Sequence, residues 1–189
     1  MTLFAIALPE EARYVPSGAR VCITGPGKVR SAVALAKALT DAPTHRVVNI
    51  GTAGALRDGL PARPHRVGRV MEHDFDASAI ERLTTRRYHN DLVLGEGLAL
   101  ATGDAFLADP CKRVALAEHA DLVDMEGFAI AHAAREFGVA CEMFKIVTDS
   151  ADDRAWSWSE TVDVAAGEIG RLVSQLVAWG DSPRCEGIS

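Results

Sequence analysis

The stretch Leu122-Val-Asp-Met-Glu-Gly-Phe-Ala-Ile-Ala-His-Ala-Ala-Arg-Glu-Phe-Gly-Val-Ala-Cys-Glu-Met-Phe-Lys-Ile-Val-Thr-Asp149 decides the fold. Leu122 and Val123 read as a brief apolar strand. From Glu126 to Phe137 the apolar residues Phe128, Ile130, Ala131, Ala134 and Phe137 recur near one face of a helix. Gly138 is the expected C-cap, since a chain leaving a helix turns most cheaply through a left-handed glycine. Cys141 to Val147 is a second strand. Strand, helix and strand in this order build an α/β unit. Acids stand at its turning points, Asp124 and Glu126 before the helix and Asp149 after the second strand. Ligands of open α/β sheets sit outside the carboxyl ends of strands, so these acids are expected to face one crevice.

The rest of the chain extends the same alternation. Leu3 to Leu8 is a continuous apolar run, as in a strand buried on both faces, closed by Pro9 and followed by Glu10 and Glu11. Val21 to Thr24 is a strand running into Gly25-Pro26-Gly27-Lys28 and a helix from about Val29 to Leu39. Arg46 to Ile50 is a strand expected to break at a turn of small residues, Gly51 to Gly54. Pro61 to Pro64 reads as a loop and Val67 to Met71 as a strand. Leu92 to Thr102 carries strand character in its second half. Asp109 and Pro110 open a short helix as N-cap and first helical residue. Ser150 to Asp153 is a turn, and Glu160 to Trp179 is an amphipathic helix. Ala79 to Asn90 is polar and shows no clear period. The fold class is α/β, a mostly parallel, twisted mixed sheet flanked by helices. Residues 1–180 are expected to form a single domain and 181–189 a flexible tail.

Bulk composition narrows the function. Of 189 residues 48% are hydrophobic and 24% charged, enough apolar material for a core without disulfides or metal. A formal net charge of −6 disfavours nucleic acid or an anionic membrane as partner, since both require a basic face. Cys22, Cys111, Cys141 and Cys185 lack the spacing of a zinc site or a disulfide framework. The first residues read as neither signal peptide nor membrane span, and the expected compartment is a reducing cytoplasm. No cofactor is implied. His73, Asp74 and Asp76 form one short run without a partner cluster and are read as no metal site.

Five motifs, in order along the chain, carry a resemblance: Thr24-Gly-Pro-Gly-Lys-Val29, Asn49-Ile-Gly-Thr-Ala-Gly-Ala-Leu56, His73-Asp-Phe-Asp76, Thr102-Gly-Asp-Ala-Phe-Leu107, and Val123-Asp-Met-Glu126 with Thr148-Asp149. Together they resemble the nucleoside phosphorylase/nucleosidase superfamily, and within it the 5'-methylthioadenosine/S-adenosylhomocysteine nucleosidases most closely. The resemblance implies a nucleoside phosphorylase-like fold, a purine nucleoside as small-molecule ligand, and a homodimer. It departs from the family in length, with the loss falling between about Ile80 and Glu96, a region that in the family helps form the subunit interface and the pocket for the ribose 5'-substituent. Lys145 stands where the family often has arginine.

The resemblance also implies roles. Cleavage of an N-glycosidic bond to a purine passes through an oxocarbenium-like sugar, which calls for an acid at the leaving base and a group that activates water. Asp149 matches the acid, and would need a raised pKa to act near neutrality. Glu11 matches the water-activating base, with Glu10 as the alternative one residue away. Glu126 would accept the ribose hydroxyls in its ionised state, and Met125 would pack on the sugar. Phe106 would stack on the purine beside Leu107, with Asp104 orienting that loop. Thr52, Ala53 and Gly54 would bring backbone and a hydroxyl close to the sugar. Ala77 and Ile80 would line the 5'-substituent pocket. Read from the residues alone, a turn cap is the favoured reading of Asp149 and a core residue that of Phe106, a solvated acid at a helix N-terminus accounts well for Glu126, and the Gly51–Gly54 run is equally a packing turn. The glycine turn before Lys28 lacks the spacing of an NTPase phosphate loop.

Three functions remain open on these grounds: a nucleosidase, a phosphorylase using Arg13, Arg30 or Arg57 to hold phosphate, and a nucleoside-binding module without turnover. A carboxylate at Glu11 favours water over phosphate, because it repels a dianion.

Overall fold

The computed structural model describes residues 1–88, 91–149 and 158–180. The expected turn at Ser150 to Asp153 and the expected tail 181–189 lie outside these residues. In chain order the elements are β1 (Thr2–Ile6), β2 (Val21–Ile23), α1 (Lys28–Asp41), β3 (Arg46–Ala55), β4 (Pro64–Glu72), α2 (Ala77–Thr84), β5 (Asp91–Val93), β6 (Leu98–Thr102), α3 (Pro110–Ala117), β7 (Leu122–Asp124), α4 (Gly127–Glu136), β8 (Ala140–Asp149) and α5 (Trp158–Gly180).

The eight strands form one sheet in the order β2-β1-β3-β7-β6-β4-β5, with β8 pairing to both β3 and β4. Five pairings are parallel (β1–β2, β1–β3, β3–β8, β4–β6, β6–β7) and three antiparallel (β3–β7, β4–β5, β4–β8). The sheet is therefore mixed and mostly parallel, as expected. Because β8 bridges β3 and β4, the strands β3, β8, β4, β6 and β7 close into a ring.

Strand β1 explains the layering. Leu3 and Ala5 point to one face, where they pack with Leu35 of α1 and Ile130, Ala133 and Ala134 of α4. Phe4 and Ile6 point to the other, against Ile169 and Val173 of α5. A third cluster, with Val67, Val70, Leu100, Leu122 and Met143, joins the ring strands to Phe128 and Ala131 of α4. Helix α4 ends as its sequence predicts. Gly138, at φ +67°, donates to the carbonyl of Arg135, and Val139 donates to that of Ala134, the paired bonds of a Schellman motif. Asp109 caps α3 by accepting from the Cys111 amide.

Two expectations about local structure are overturned. Gly51 to Gly54 is not a turn: β3 continues through it to Ala55, paired with β8 on one side and β7 on the other. The face of the strand is occupied there, since a Cβ on Gly51 would be in van der Waals contact with Glu11 Oε1 at 3.4 Å and Lys145 Nζ at 3.6 Å. Pro64 does not belong to a loop but begins β4. In the unpatterned segment, α2 forms with Asp76 as its N-cap, accepting from the Ala79 amide at 2.8 Å, and buries none of its residues. No described helix is long and apolar enough to cross a membrane.

Register at the β4–β6 edge depends on close backbone approach. A Cβ at Gly68 would fall 2.5 Å from the Gly97 nitrogen and 2.6 Å from the Gly95 carbonyl oxygen. Gly68→Ala should therefore cost about 1–3 kcal/mol by overpacking against immovable backbone, whereas Gly18→Ala, which meets nothing within 4 Å, should stay within about 0.5 kcal/mol. Chemical denaturation of the two variants checks this, and equal stabilities would contradict the packing described.

Candidate active site

The site is assembled by a register shift. Between β3 and β8 the pairing slips after Ala53, so that Gly54 faces Asp149 on one side while facing Val123 of β7 on the other. The end of β8, the middle of β3 and the exit of β7 thereby meet. The turn after β1 adds Glu11 from below, and the loop after β6 adds Phe106. A cavity of about 210 Å³ opens at this junction, and Asp149, Glu11, Glu126, Met125, Phe106, Leu107, Thr52, Ala53 and Gly54 all line it. These nine candidate residues are thus brought to one place. Ala77 and Ile80 are not among the lining residues, nor are Arg13, Arg30 and Arg57. Arg13 pairs with Asp163 and Arg57 with Asp121.

The two neighbouring glutamates separate cleanly. Glu10 is exposed, while Glu11 is 2% exposed. One oxygen of Glu11 accepts from the Thr52 amide and the Thr52 hydroxyl, both at 2.8 Å, and the other accepts from the Leu8 amide at 3.1 Å. The carboxylate is fixed in orientation by these donors. Thr148 donates to Asp149 through its hydroxyl at 3.0 Å.

The cavity is also lined by a pair that the site residues read from sequence did not include. Lys145 Nζ sits 2.8 Å from Asp124 Oδ2, with side chains 2% and 1% exposed. Asp124 also accepts from the Gly127 amide at 2.8 Å and from the Thr102 hydroxyl at 2.6 Å, so its acceptor capacity is largely taken. Thr102 in turn accepts from the Phe128 amide, which ties the start of α4 to β6. A sequence signal existed: a lysine inside the apolar run Met143 to Val147 must find an acid when buried.

Glu126 faces the cavity with a different balance. Its Oε1 accepts from the Gly27 amide at 2.8 Å, which leaves acceptor sites for a ligand, since a carboxylate offers about four. Burial and the nearby Asp124 charge, opposed by Lys145 and the Gly27 amide, push its pKa up to about 7. Lys145 is held above its ordinary value: burial opposes its charge, but Asp124, Glu126 and Glu11 outweigh that. Asn49 completes the floor; it is 2% exposed and donates to the Ala5 carbonyl at 2.9 Å.

Of the glycine-turn motif only Pro26 lines the cavity, and the His73–Asp76 motif borders it. Lys28 pairs with Glu72 and Asp74, and Asp104 accepts from the Lys28 amide at 2.8 Å, so Asp104 does anchor the loop that carries Phe106. Asp76 caps α2. No group of three or more His, Cys, Asp or Glu side chains able to hold a metal occurs among the described residues.

Comparisons with known proteins identify the family and the fold. The pattern of the phosphorylase superfamily matches residues 62–178. An aminodeoxyfutalosine nucleosidase of Helicobacter pylori is 24% identical over 176 residues, covering 80% of this chain and 76% of that protein. A 5'-methylthioadenosine/S-adenosylhomocysteine nucleosidase of Shewanella oneidensis is 27% identical over 188 residues, covering 85% and 80%. Among solved structures, futalosine hydrolase of H. pylori superposes with a TM-score of 0.82 at 18% identity, covering 94% of this chain and 97% of that one. A Neisseria meningitidis nucleosidase in complex with methylthio-immucillin-A gives 0.80 at 21% identity, covering 93% and 98%. The matched pattern spans more than half of the chain and the structural likeness nearly all of it, and the chain belongs to the phosphorylase superfamily.

Proposed function

We propose that the protein is a purine nucleosidase that hydrolyses the N-glycosidic bond of a 5'-substituted adenosine, such as methylthioadenosine or S-adenosylhomocysteine, and releases adenine. The observation that carries this reading is the buried Glu11 carboxylate in the same cavity as Asp149 and Glu126. The nucleosidase names of the relatives support it, and the aminodeoxyfutalosine nucleosidase among them keeps a second 5'-substituent in view.

In this mechanism Asp149, beside Phe106 and Leu107, donates a proton to N7 of the purine, because a purine leaves poorly as an anion. Phe106 stacks on the base. Met125 packs on the sugar while Glu126 accepts the ribose hydroxyls and gains in strength as the sugar turns positive. Glu11, fixed by Leu8 and Thr52, takes a proton from water on the other side of the sugar. The water oxygen bonds to the anomeric carbon as the bond to the purine nitrogen breaks. A phosphorylase reading is weaker, since the cation of the cavity wall, Lys145, is engaged by Asp124 and no arginine among the described residues lines the cavity. The reading of a binding module without turnover is met by the three acids sharing one cavity.

Two experiments test the proposal. Wild type should release adenine from a panel of 5'-substituted adenosines. Asp149→Asn should lower kcat by about 10²–10⁴, the usual contribution of a positioned acid, while nucleoside affinity by calorimetry stays within a few-fold. Tight binding by the wild type with no base release from any nucleoside would leave the binding module standing instead. The second concerns pH. With Glu126 pushed up to about 7, the carboxylate form that accepts both hydroxyls grows as pH rises, so kcat/KM should climb through neutrality. Glu126→Gln should lose that climb, and a rise that persists in the variant would assign it to another group.

A further inference from the structure

Lys28 does not line the cavity, yet two of the cavity's walls meet through it. Its Nζ lies 2.5 Å from Glu72 Oε1, 2.5 Å from Asp74 Oδ1 and 3.9 Å from Asp104 Oδ2. The Lys28 side chain is 16% exposed, with Glu72 at 17% and Asp74 at 27%, so the cluster is sheltered from much of the screening that makes surface pairs weak. Its backbone takes part as well. The Lys28 amide donates to Asp104 Oδ1 at 2.8 Å, and the Asp104 amide donates to Asp74 Oδ2 at 2.8 Å. One residue earlier, the Gly27 amide donates to Glu126 Oε1 at 2.8 Å.

Consecutive residues therefore hold opposite walls. Gly27 grips Glu126, the acid on the sugar side. Lys28 grips, through Asp74 and Asp104, the loop that presents Phe106 and Leu107 on the base side. The glycine is required for that approach: Gly27 has φ +89°, and a Cβ there would lie 3.1 Å from Asp104 Oδ1. Both ionic partners stay charged near neutrality. Burial works against Lys28 and against Asp74, but their mutual hydrogen bond and charge outweigh it, raising the lysine and lowering the acid.

We propose that Lys28 is a positioning residue that sets the span between the Phe106 loop and Glu126, and through it the fit of a nucleoside, without touching the ligand. This rests on the nucleosidase reading for the identity of the ligand, and on the contacts alone for the clasp itself.

The experiment compares wild type, Lys28→Met, Asp104→Ala and the double variant. The readouts are amide exchange at Asp104, thermal midpoint, affinity for adenine, and KM and kcat with methylthioadenosine. Lys28→Met should speed exchange at Asp104 and raise KM and the adenine dissociation constant by about tenfold, a modest misplacement of a binding wall, with kcat within about threefold. Asp104→Ala removes the acceptor of the Lys28 amide at an exposed position and should give the same split. The double variant should be no worse than the poorer single one, because both cut one path. Unchanged exchange at Asp104 in Lys28→Met, or a fall in thermal midpoint with KM and adenine affinity unmoved, would overturn the proposal. If wild type releases no base from any nucleoside, the nucleosidase reading fails, while exchange and adenine affinity still decide the clasp.

Discussion

The structure depends on how one buried ammonium is shared. Lys145 projects from β8 into a region where three carboxylates converge from three other parts of the chain: Asp124 at the end of β7, Glu126 at the start of α4 and Glu11 after β1. Only Asp124 is in ion-pair contact with it, at 2.8 Å. Removing one member of such a pair strands a buried charge and costs about 3–5 kcal/mol, so β8, β7 and β6 are locked in register around this contact. The chain does not neutralise the rest. Glu11 is supported by neutral donors from Leu8 and Thr52, and Glu126 by the Gly27 amide. Burial first, and after it the excess of negative charge, raises the pKa of Glu126. On the nucleosidase reading that imbalance is useful, because a sugar approaching an oxocarbenium ion supplies the missing positive charge only in the transition state.

Most of the fold was legible because its signals are local. Apolar runs marked β1, β3 and β8, the Gly138 stop marked the end of α4, and Asp109-Pro110 marked the start of α3. What was not legible depends on neighbours. The Gly51–Gly54 run looks like a turn in isolation, since small residues favour turns, but it lies in the second half of β3, paired with β8 along its length and with β7 at Gly54, and has Glu11 and Lys145 near its face. Helix α2 escapes a sequence reading because it is only eight residues long and fully buries none of them, so its apolar residues Ala77, Ile80 and Leu83 repeat over too few turns to set a period.

The candidate site was legible to a similar degree and for a similar reason. Acids at strand ends can be seen in sequence, and burial distinguishes Glu11, which lines the cavity, from its exposed neighbour Glu10. The supporting residues were harder. Asp124 was noticed as a neighbour of Glu126, but its bond to Lys145 spans two strands that the chain separates by a helix. Lys28 was noticed only as part of a glycine turn; its partners Glu72, Asp74 and Asp104 lie 44 to 76 positions away. Contacts of that range follow from sheet order, which no single motif states.

The central claim is that this arrangement of carboxylates serves water and not phosphate. The direct measurement is the identity of the sugar product when methylthioadenosine is turned over with and without inorganic phosphate. The account predicts free methylthioribose and a rate that does not depend on phosphate. A strict requirement for phosphate, with methylthioribose 1-phosphate as the product, would contradict it.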